Sequence, residues 1–327
     1  MRAVVAQRPG GPEVLELVDL PDPQPGPGEV LVRVAAVGVN FLDTYRRSGT
    51  YRWPFPHIAG SEGAGEVVAV GPGVTSPAVG RHIAWKDNAG SYAELAVVKV
   101  AEALVVPTAL SDELAAALVL QGLTAHYLTA STYPLQPGDD CLLHAAAGGV
   151  GLLATQLAAR RGARVIGTVG SPEKEELARR AGAAEVIRYR ELGDLTDGLP
   201  RAVKDLTGGA GVPVVYDSVG KDTFEGSLAS LRPRGMLVLF GGSSGQVPPF
   251  DLQRLNGAGG LYVTRPSLSW YTATRDELEW RAGEVFGAAA SAELSVRIGA
   301  RYPLADAAEA HRALEGRATT GKVLLVP

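Results

Sequence analysis

The sequence predicts an α/β chain of two domains, a small irregular β-barrel and a doubly wound parallel sheet, closed by a returning tail. Three observations predict it. Cys141 to Gly151 reads CLLHAAAGGVG, an apolar strand entering a glycine-rich turn that opens a helix. Six strand-like segments alternate with helical patterns from there to Ser267. Upstream of Pro107, short strands punctuated by Gly and Pro recur at the spacing of a small barrel. A length of 327 residues exceeds one small core and suits two domains.

The glycine turn is the segment around which the rest is organised. Ala146, Gly148 and Gly151 occupy the small positions of a GxGxxG fingerprint, with Ala replacing the first Gly. Those positions serve a tight turn, close backbone approach to phosphate, and close helix-on-strand packing. The following helix, predicted from Gly149 to Arg161 with Gly162 left-handed past its end, aims unpaired amides and its positive dipole end at the turn. Gly149 and Val150 at its start therefore join the predicted cofactor site. ARVIGTVG is the next strand, and SPEKEELARRAG the next helix, with Ser171 as N-cap, Pro172 at its first position and Gly182 at its end. Strand, turn, helix, strand is the unit that binds dinucleotides.

In chain order, MRAVVAQ is a strand, Gly10, Gly11 and Pro12 a turn, and VLELVDLP its antiparallel partner. PDPQPGPGE is a proline-rich turn rather than a linker, because the strand EVLVRVAAVGV resumes at once. Asn40 to Tyr51 reads as a loop. TALSDELAAALVLQGLTAHYLTAS reads as a pair of helical segments, the first capped by Ser111. EVIRYR, PVVYDSVG, GMLVLFGG and LYVTRPS supply the third to sixth strands of the parallel sheet. Beyond Pro266 the segments TRDELEWRAGEVFGAAAS and ARYPLADAAEAHRALE read as helical, and GKVLLVP as a last strand. This tail is too apolar for a free appendage and is expected to pack on the first domain. The expected boundaries are 1–122, 123–265 and 266–327.

Composition narrows the function. Hydrophobic residues at 46% and charged ones at 20% are those of a soluble globular enzyme. A net charge of −4 with scattered Arg residues argues against a nucleic-acid or membrane-surface partner. No run of about eighteen apolar residues occurs, and MRAVVAQRPGG lacks signal-peptide features, so the expected compartment is the cytoplasm. Cys141 is the single cysteine, read as an inert buried thiol. The five histidines form no HExxH or HxH pair, so no metal is expected.

The motifs PGGPEVLEL, GVNFLDTYRRSGTY, GSEGAGEV, AALVLQGLTAHYL, HAAAGGVG, VYDSVG, YVTRPS and RATTGKVLL run nearly end to end. On them the chain resembles the medium-chain dehydrogenase/reductase superfamily, and within it the zinc-free, ζ-crystallin-like quinone oxidoreductases. The resemblance implies a GroES-like catalytic barrel, a Rossmann domain for NADPH, and a homodimer. Where zinc alcohol dehydrogenases carry a Cys and a GHE histidine, the corresponding segments read Asn40, Phe41, Leu42, Asp43 and Gly60, Ser61, Glu62. Gln121 stands where close bacterial relatives often have Lys. By the same resemblance, Gly122 and Thr124 lie near the pyrophosphate and nicotinamide, Ser218 and Phe240 along the strand ends, and Arg265 and Arg317 beside the cofactor. Glu62 is read as structural, since an unpaired buried carboxylate is costly.

Cofactor choice follows from charge. NAD-preferring domains carry Asp or Glu about twenty residues past the glycine turn; this chain has Thr168, Val169, Gly170 and Ser171 there. Lys174 lies one helical turn beyond, and Tyr189 ends the third strand between Arg188 and Arg190. A 2′-phosphate meets an ammonium, hydroxyl donors and a helix N-terminus, which favours NADPH. A quinone is already electron-poor and accepts reducing equivalents when stacked within reach of hydrogen-bond donors. Asn40, Tyr45 and Tyr51 are the candidate catalytic groups. Tyr51 would donate to the reduced oxygen and Asn40 would hold the nicotinamide ribose or the substrate; no general base is evident.

Three functions follow for comparison: an NADPH:quinone reductase acting on small quinones or another electron-poor acceptor, an NADPH-dependent enone or enoyl-thioester reductase, and an NADPH-binding crystallin-like or RNA-binding protein without important turnover. The acidic balance counts against RNA. Lys174→Glu is expected to weaken NADPH at least about tenfold more than NADH in equilibrium titrations; equal losses for both would remove the charge argument.

Overall fold

The computed structural model describes residues 1–327 and resolves two units, Met1–Leu123 with Ala273–Pro327, and Thr124–Thr272. In the first unit β1 (Arg2–Ala6) and β2 (Leu15–Asp19) form an antiparallel hairpin. The eleven-residue β3 (Glu29–Val39) is the spine. Its alternate valines Val30, Val32 and Val34 are buried, as expected for β-branched residues on one face of a pleated strand. After β3 come α1 (Phe41–Ser48), β4 (His57–Ile58), β5 (Gly63–Val70), β6 (His82–Trp85), β7 (Leu95–Lys99), β8 (Leu104–Val105) and α2 (Asp112–Tyr127). β3 pairs antiparallel with both β5 and β7, and Trp85, Tyr92 and Ile83 fill the core beneath it.

The second unit is the parallel sheet. Its elements are β9 (Asp140–Leu143), α3 (Gly149–Arg160), β10 (Arg164–Val169), α4 (Pro172–Arg180), β11 (Glu185–Arg188), α5 (Leu195–Leu206), β12 (Val212–Asp217), α6 (Phe224–Ala229), β13 (Leu231–Leu239), α7 (Gln253–Gly257) and β14 (Tyr262–Thr264). The strand order β11-β10-β9-β12-β13-β14 doubles back at β9, and every pairing is parallel. All six C-terminal strand ends therefore open on one edge. Cys141 is buried in β9, and burial pushes its thiol up to about 12, which keeps it inert.

The tail returns to the first unit as α8 (Arg275–Ala290), β15 (Ile298–Pro303), α9 (Ala307–Glu315) and β16 (Lys322–Val326). β16 joins the first sheet antiparallel to β3, with β15 parallel outside it.

Three expectations change. Asn40 to Tyr51 is not a loop, because Phe41–Ser48 is helical. Asp43 Oδ2 accepts the Asn40 amide at 2.9 Å, Arg46 and Arg47 close the last turn, and Gly49 at φ 79° ends it; capping at both ends stabilises a helix too short to show a period. The stretch before Ala307 is strand rather than helix over Ile298–Pro303, where pairing with β16 outweighs local propensity. The paired helical segments are one helix, α2, capped where Leu114 N donates to Ser111 Oγ at 3.3 Å, and it runs into a π-helical turn at Leu128–Thr132. The span Asp112–Thr132 is long and apolar enough to cross a membrane by composition, yet 78% of its apolar window is buried within the protein, as in a core helix.

α9 is fastened to α1 by a buried relay. Arg47 Nη1 donates to His311 Nδ1 at 3.0 Å, since a guanidinium has no acceptor. His311 Nε2 then carries the proton and donates to Tyr92 Oη at 3.0 Å, and Tyr92 donates to Asp43 Oδ2 at 3.3 Å. Burial, then the Arg47 charge, holds His311 down to about 3. The unfolded chain therefore takes up a proton below pH 6.5 that the native ring refuses until about 3, so stability from this histidine is full above 6.5 and drains as pH falls. His311→Gln keeps an acceptor and a donor without titrating. Urea midpoints of this variant should fall less steeply than wild type from pH 6.5 towards 3; parallel profiles would refute a neutral His311.

Candidate cofactor and acceptor sites

The sharp bend of the glycine turn lies at Ala145, the residue before the predicted position: it has φ 52°, whereas Gly148 has φ −77° and caps α3. Gly148 N returns to Ala145 O at 2.8 Å. The turn is tied to both flanking strands, His144 N donating to Tyr216 O and Ala146 N to Thr168 O, each at 3.0 Å. A Cβ on Gly151 would collide with the Ala145 carbonyl oxygen. One on Gly167 would come within 2.8 Å of the Ala146 methyl, so the small residues interlock. The first-turn amides at Gly149, Val150 and Gly151 lie beyond the reach of any i−4 helical carbonyl and face the side where an anion is stabilised.

Beside this turn, Ser171 caps α4, its Oγ accepting Lys174 N at 3.4 Å. The Tyr189 phenol lies over Gly170, where a Cβ would meet its oxygen at 2.7 Å. Gly170, Ser171, Lys174 and Tyr189 thus form one corner; Thr168 to Ser171 contain no carboxylate, and the nearest one, Glu173 in the first turn of α4, is bonded to the Ser171 side chain, which lowers its pKa. Arg188 is committed elsewhere, to Glu175 and Glu191 at 3.3 and 3.2 Å. At the end of β12 the buried Asp217 carboxylate accepts Val219 N at 2.8 Å and Gly220 N at 3.0 Å, shaping the loop that carries Ser218. Phe240 N bonds Asp217 O at 2.8 Å, and Arg265 Nη1 bonds Leu239 O at 3.1 Å. Ser218, Phe240 and Arg265 therefore share the strand-end edge with the glycine turn. These residues fit a phosphorylated dinucleotide: a cradle that added side chains would fill, a helix N-terminus, and a corner with Lys174 and hydroxyls.

Three further predicted positions lie at the start of the second unit or in the first unit. Thr124 is buried at the start of the second unit. Gly122 belongs to the first unit, and a Cβ there would meet Val285 Cγ1 at 2.6 Å, so helix packing against α8 requires glycine. Arg317 is exposed in the first unit, left-handed at φ 57° just past α9.

The acceptor-side candidates lie on α1 and at its two ends. The Tyr45 and Tyr51 rings are 5.2 Å apart, and Tyr51 N bonds Tyr45 O at 3.0 Å. Arg46 lies 4.0 Å above the Trp53 ring and donates to Ser61 Oγ at 2.9 Å and Asp87 Oδ1 at 2.7 Å. Asn40 points inward. Its Nδ2 donates to Glu62 Oε1 at 2.6 Å and Gly38 O at 3.4 Å, while its Oδ1 accepts Lys322 Nζ at 2.8 Å and Gln121 Nε2 at 3.4 Å. Two donors and two acceptor sites are all an amide has. All four hydrogen-bonding positions of Asn40 are therefore taken by protein groups.

Glu62 is buried on Lys322, whose ammonium bonds Glu62 Oε1, while Glu62 Oε2 accepts Leu120 N at 2.9 Å. Lys322 was missed as a site residue; its signal is a single charge opening the apolar run KVLLV. No three His, Cys, Asp or Glu side chains converge as a ligand set.

Comparison with known proteins agrees along the whole chain. Residues 26–110 match the alcohol dehydrogenase GroES-like domain family, and residues 149–277 the family described as zinc-binding dehydrogenase. A quinone oxidoreductase of Pseudomonas aeruginosa is 48% identical over 97% of each chain. A mycobacterial structure complexed with NADPH has a TM-score of 0.97 at 49% identity, covering 100% of both chains. The Escherichia coli quinone oxidoreductase complexed with NADPH also gives a TM-score of 0.97, at 45% identity and full coverage of both.

Replacing Lys322 by Met strands a buried carboxylate at Glu62, for which a loss of about 3–5 kcal/mol is expected in denaturant unfolding. Adding Glu62→Gln should restore most of it. If Lys322→Met alone were neutral, the pair would not be holding this site together.

Proposed function

We propose that this chain, which belongs to the quinone oxidoreductase family of the medium-chain dehydrogenases/reductases, reduces small quinones with NADPH in the cytoplasm, as a zinc-independent homodimer. Likeness to quinone oxidoreductases over nearly the full length carries the reading. The cofactor is NADPH, in keeping with the lack of Asp or Glu over Thr168 to Ser171 and with Lys174 in the neighbouring helix cap.

When bound, NADPH supplies the reducing equivalents. The protein's part is orientation and charge. The amides of α3 and the Ser171–Lys174 corner hold phosphates, and the Ser218, Phe240 and Arg265 strand ends line the same edge. Gly122 and Thr124 are proposed to lie near the pyrophosphate and nicotinamide, and Arg317 to flank the cofactor. A quinone needs one hydride and one proton to become a hydroquinone. Tyr51, braced by the Tyr45 ring, is proposed to donate the hydrogen bond that stabilises the reduced oxygen and to pass on its proton, with solvent reprotonating the phenol.

Zinc independence is supported by Glu62 being matched to Lys322, whose ammonium already supplies the cation that this buried carboxylate needs. A homodimer is supported by β14 at the sheet edge, where Tyr262 is 57% and Val263 36% exposed. The proposed domains are a catalytic GroES-like domain over 1–122, an NADPH-binding Rossmann domain over 123–265 and a returning segment over 266–327 that completes the catalytic domain.

NADPH oxidation with 1,4-benzoquinone and 9,10-phenanthrenequinone should exceed that with a 2-enoyl thioester, and Tyr51→Phe should lower quinone kcat about tenfold or more. Faster turnover of the enoyl thioester would replace the substrate assignment, and full kcat in the variant would remove Tyr51 from the chemistry.

A further inference from the structure

One buried histidine has no part in the chemistry above. His144 directly precedes the left-handed Ala145, and its ring bridges two elements: Nδ1 lies 3.0 Å from Thr168 Oγ1 on β10, and Nε2 lies 2.9 Å from Ser227 Oγ on α6. The directions follow from what lies beyond. Ser227 gives its hydroxyl proton to Asp217 Oδ2 at 2.8 Å, because an ionised carboxylate only accepts. Ser227 Oγ must then accept, so His144 Nε2 carries the proton. The bare Nδ1 accepts from the Thr168 hydroxyl. Asp217 is further held by Val219 N, Gly220 N and Thr223 Oγ1. His144 and Thr168 are 3% and 2% exposed, and Asp217 and Ser227 0%, so water does not substitute for any of these bonds.

This clamp meets a strained residue. A left-handed alanine is unfavourable, and such a conformation persists where its surroundings over-determine it. His144 N and Ala146 N are each pinned to a neighbouring strand, on either side of Ala145. The imidazole adds a side-chain tie between the same flanking strands, through Thr168 of β10 and through Ser227 to Asp217 of β12.

We propose that His144 is a positioning residue for cofactor binding: its neutral ring, linking Thr168 to Ser227 and Asp217, holds the Ala145 bend in the shape that presents the α3 amides to a pyrophosphate. The proposal rests on the reading of this turn as the NADPH site.

The test is equilibrium titration of NADPH fluorescence, with thermal unfolding of each variant measured alongside. His144→Leu removes both bonds, whereas His144→Gln retains an amide oxygen to accept and an amide nitrogen to donate. The Leu variant is expected to bind NADPH about tenfold more weakly, and the Gln variant within about threefold of wild type. At saturating NADPH both should keep kcat within about twofold, since no group near the acceptor changes. If the Leu variant does not fold, Thr168→Val removes a single hydroxyl and should weaken NADPH about threefold to fivefold. Wild-type affinity in a folded Leu or Val variant would overturn the proposal, as would equal losses in the Leu and Gln variants. A wild-type protein that does not bind NADPH would overturn the cofactor reading itself, and the positioning role with it.

Discussion

A carboxylate withdrawn from water must be paired or fully hydrogen-bonded, and that constraint at three positions organises both halves of this protein. Asp217 and Glu62 are 0% exposed and Asp43 3%. Each recruits donors from several elements, and the recruited elements carry the functional groups. Asp217 gathers loop amides and hydroxyls at the strand ends of the parallel sheet. Glu62 gathers Lys322, Asn40 and an amide of α2. Asp43 accepts from Asn40 N, Ser61 and Tyr92, which sets the start of the helix bearing Tyr45. Burial raises the Asp43 carboxyl above its usual range while the Ser61 hydroxyl and Arg46 oppose this, the balance expected of a site that trades solvation for donors.

The returning tail exists, in this light, to complete the first unit. Its last strand delivers the ammonium that Glu62 needs, and α9 delivers His311 and Glu315. Arg47 joins both ends of that connection: it is 2% exposed, donates to His311, and pairs with Glu315 at 2.7 Å. Without β16 and α9, α1 would keep its caps but lose the groups that fix its position on the barrel. Secondary structure and placement are thus stabilised by different parts of the chain.

That separation explains what could be read from residues alone. The parallel sheet was legible because each strand is a local apolar run and each helix carries its own signals, such as Ser171, Pro172 and Gly182. The glycine turn was legible as a cradle, although its bend falls at Ala145, since only the backbone reveals which residue takes the left-handed conformation. α1 was missed because eight residues hold too few turns for a period to show. Lys322 and His311 were missed for a stronger reason: their partners lie 260 and 219 positions away in the chain. Local pattern holds no information about such pairs beyond an isolated charge in an apolar strand or an isolated histidine in an amphipathic helix.

The Glu62–Lys322 pair also bears on which acceptors the first unit suits. A lysine ammonium has three donors and no vacant coordination position. Here two of those donors are directed at Glu62 and Asn40, inside the protein. Asn40 in turn has no bond to spare. On the proposed reading, polarisation of an acceptor's oxygen falls to the phenol donors on α1 and just beyond it, which stabilise a developing oxyanion less than a cation does. On the proposed reading, such a site works on molecules whose own electron deficiency supplies most of the driving force, and quinones have that property while simple ketones do not.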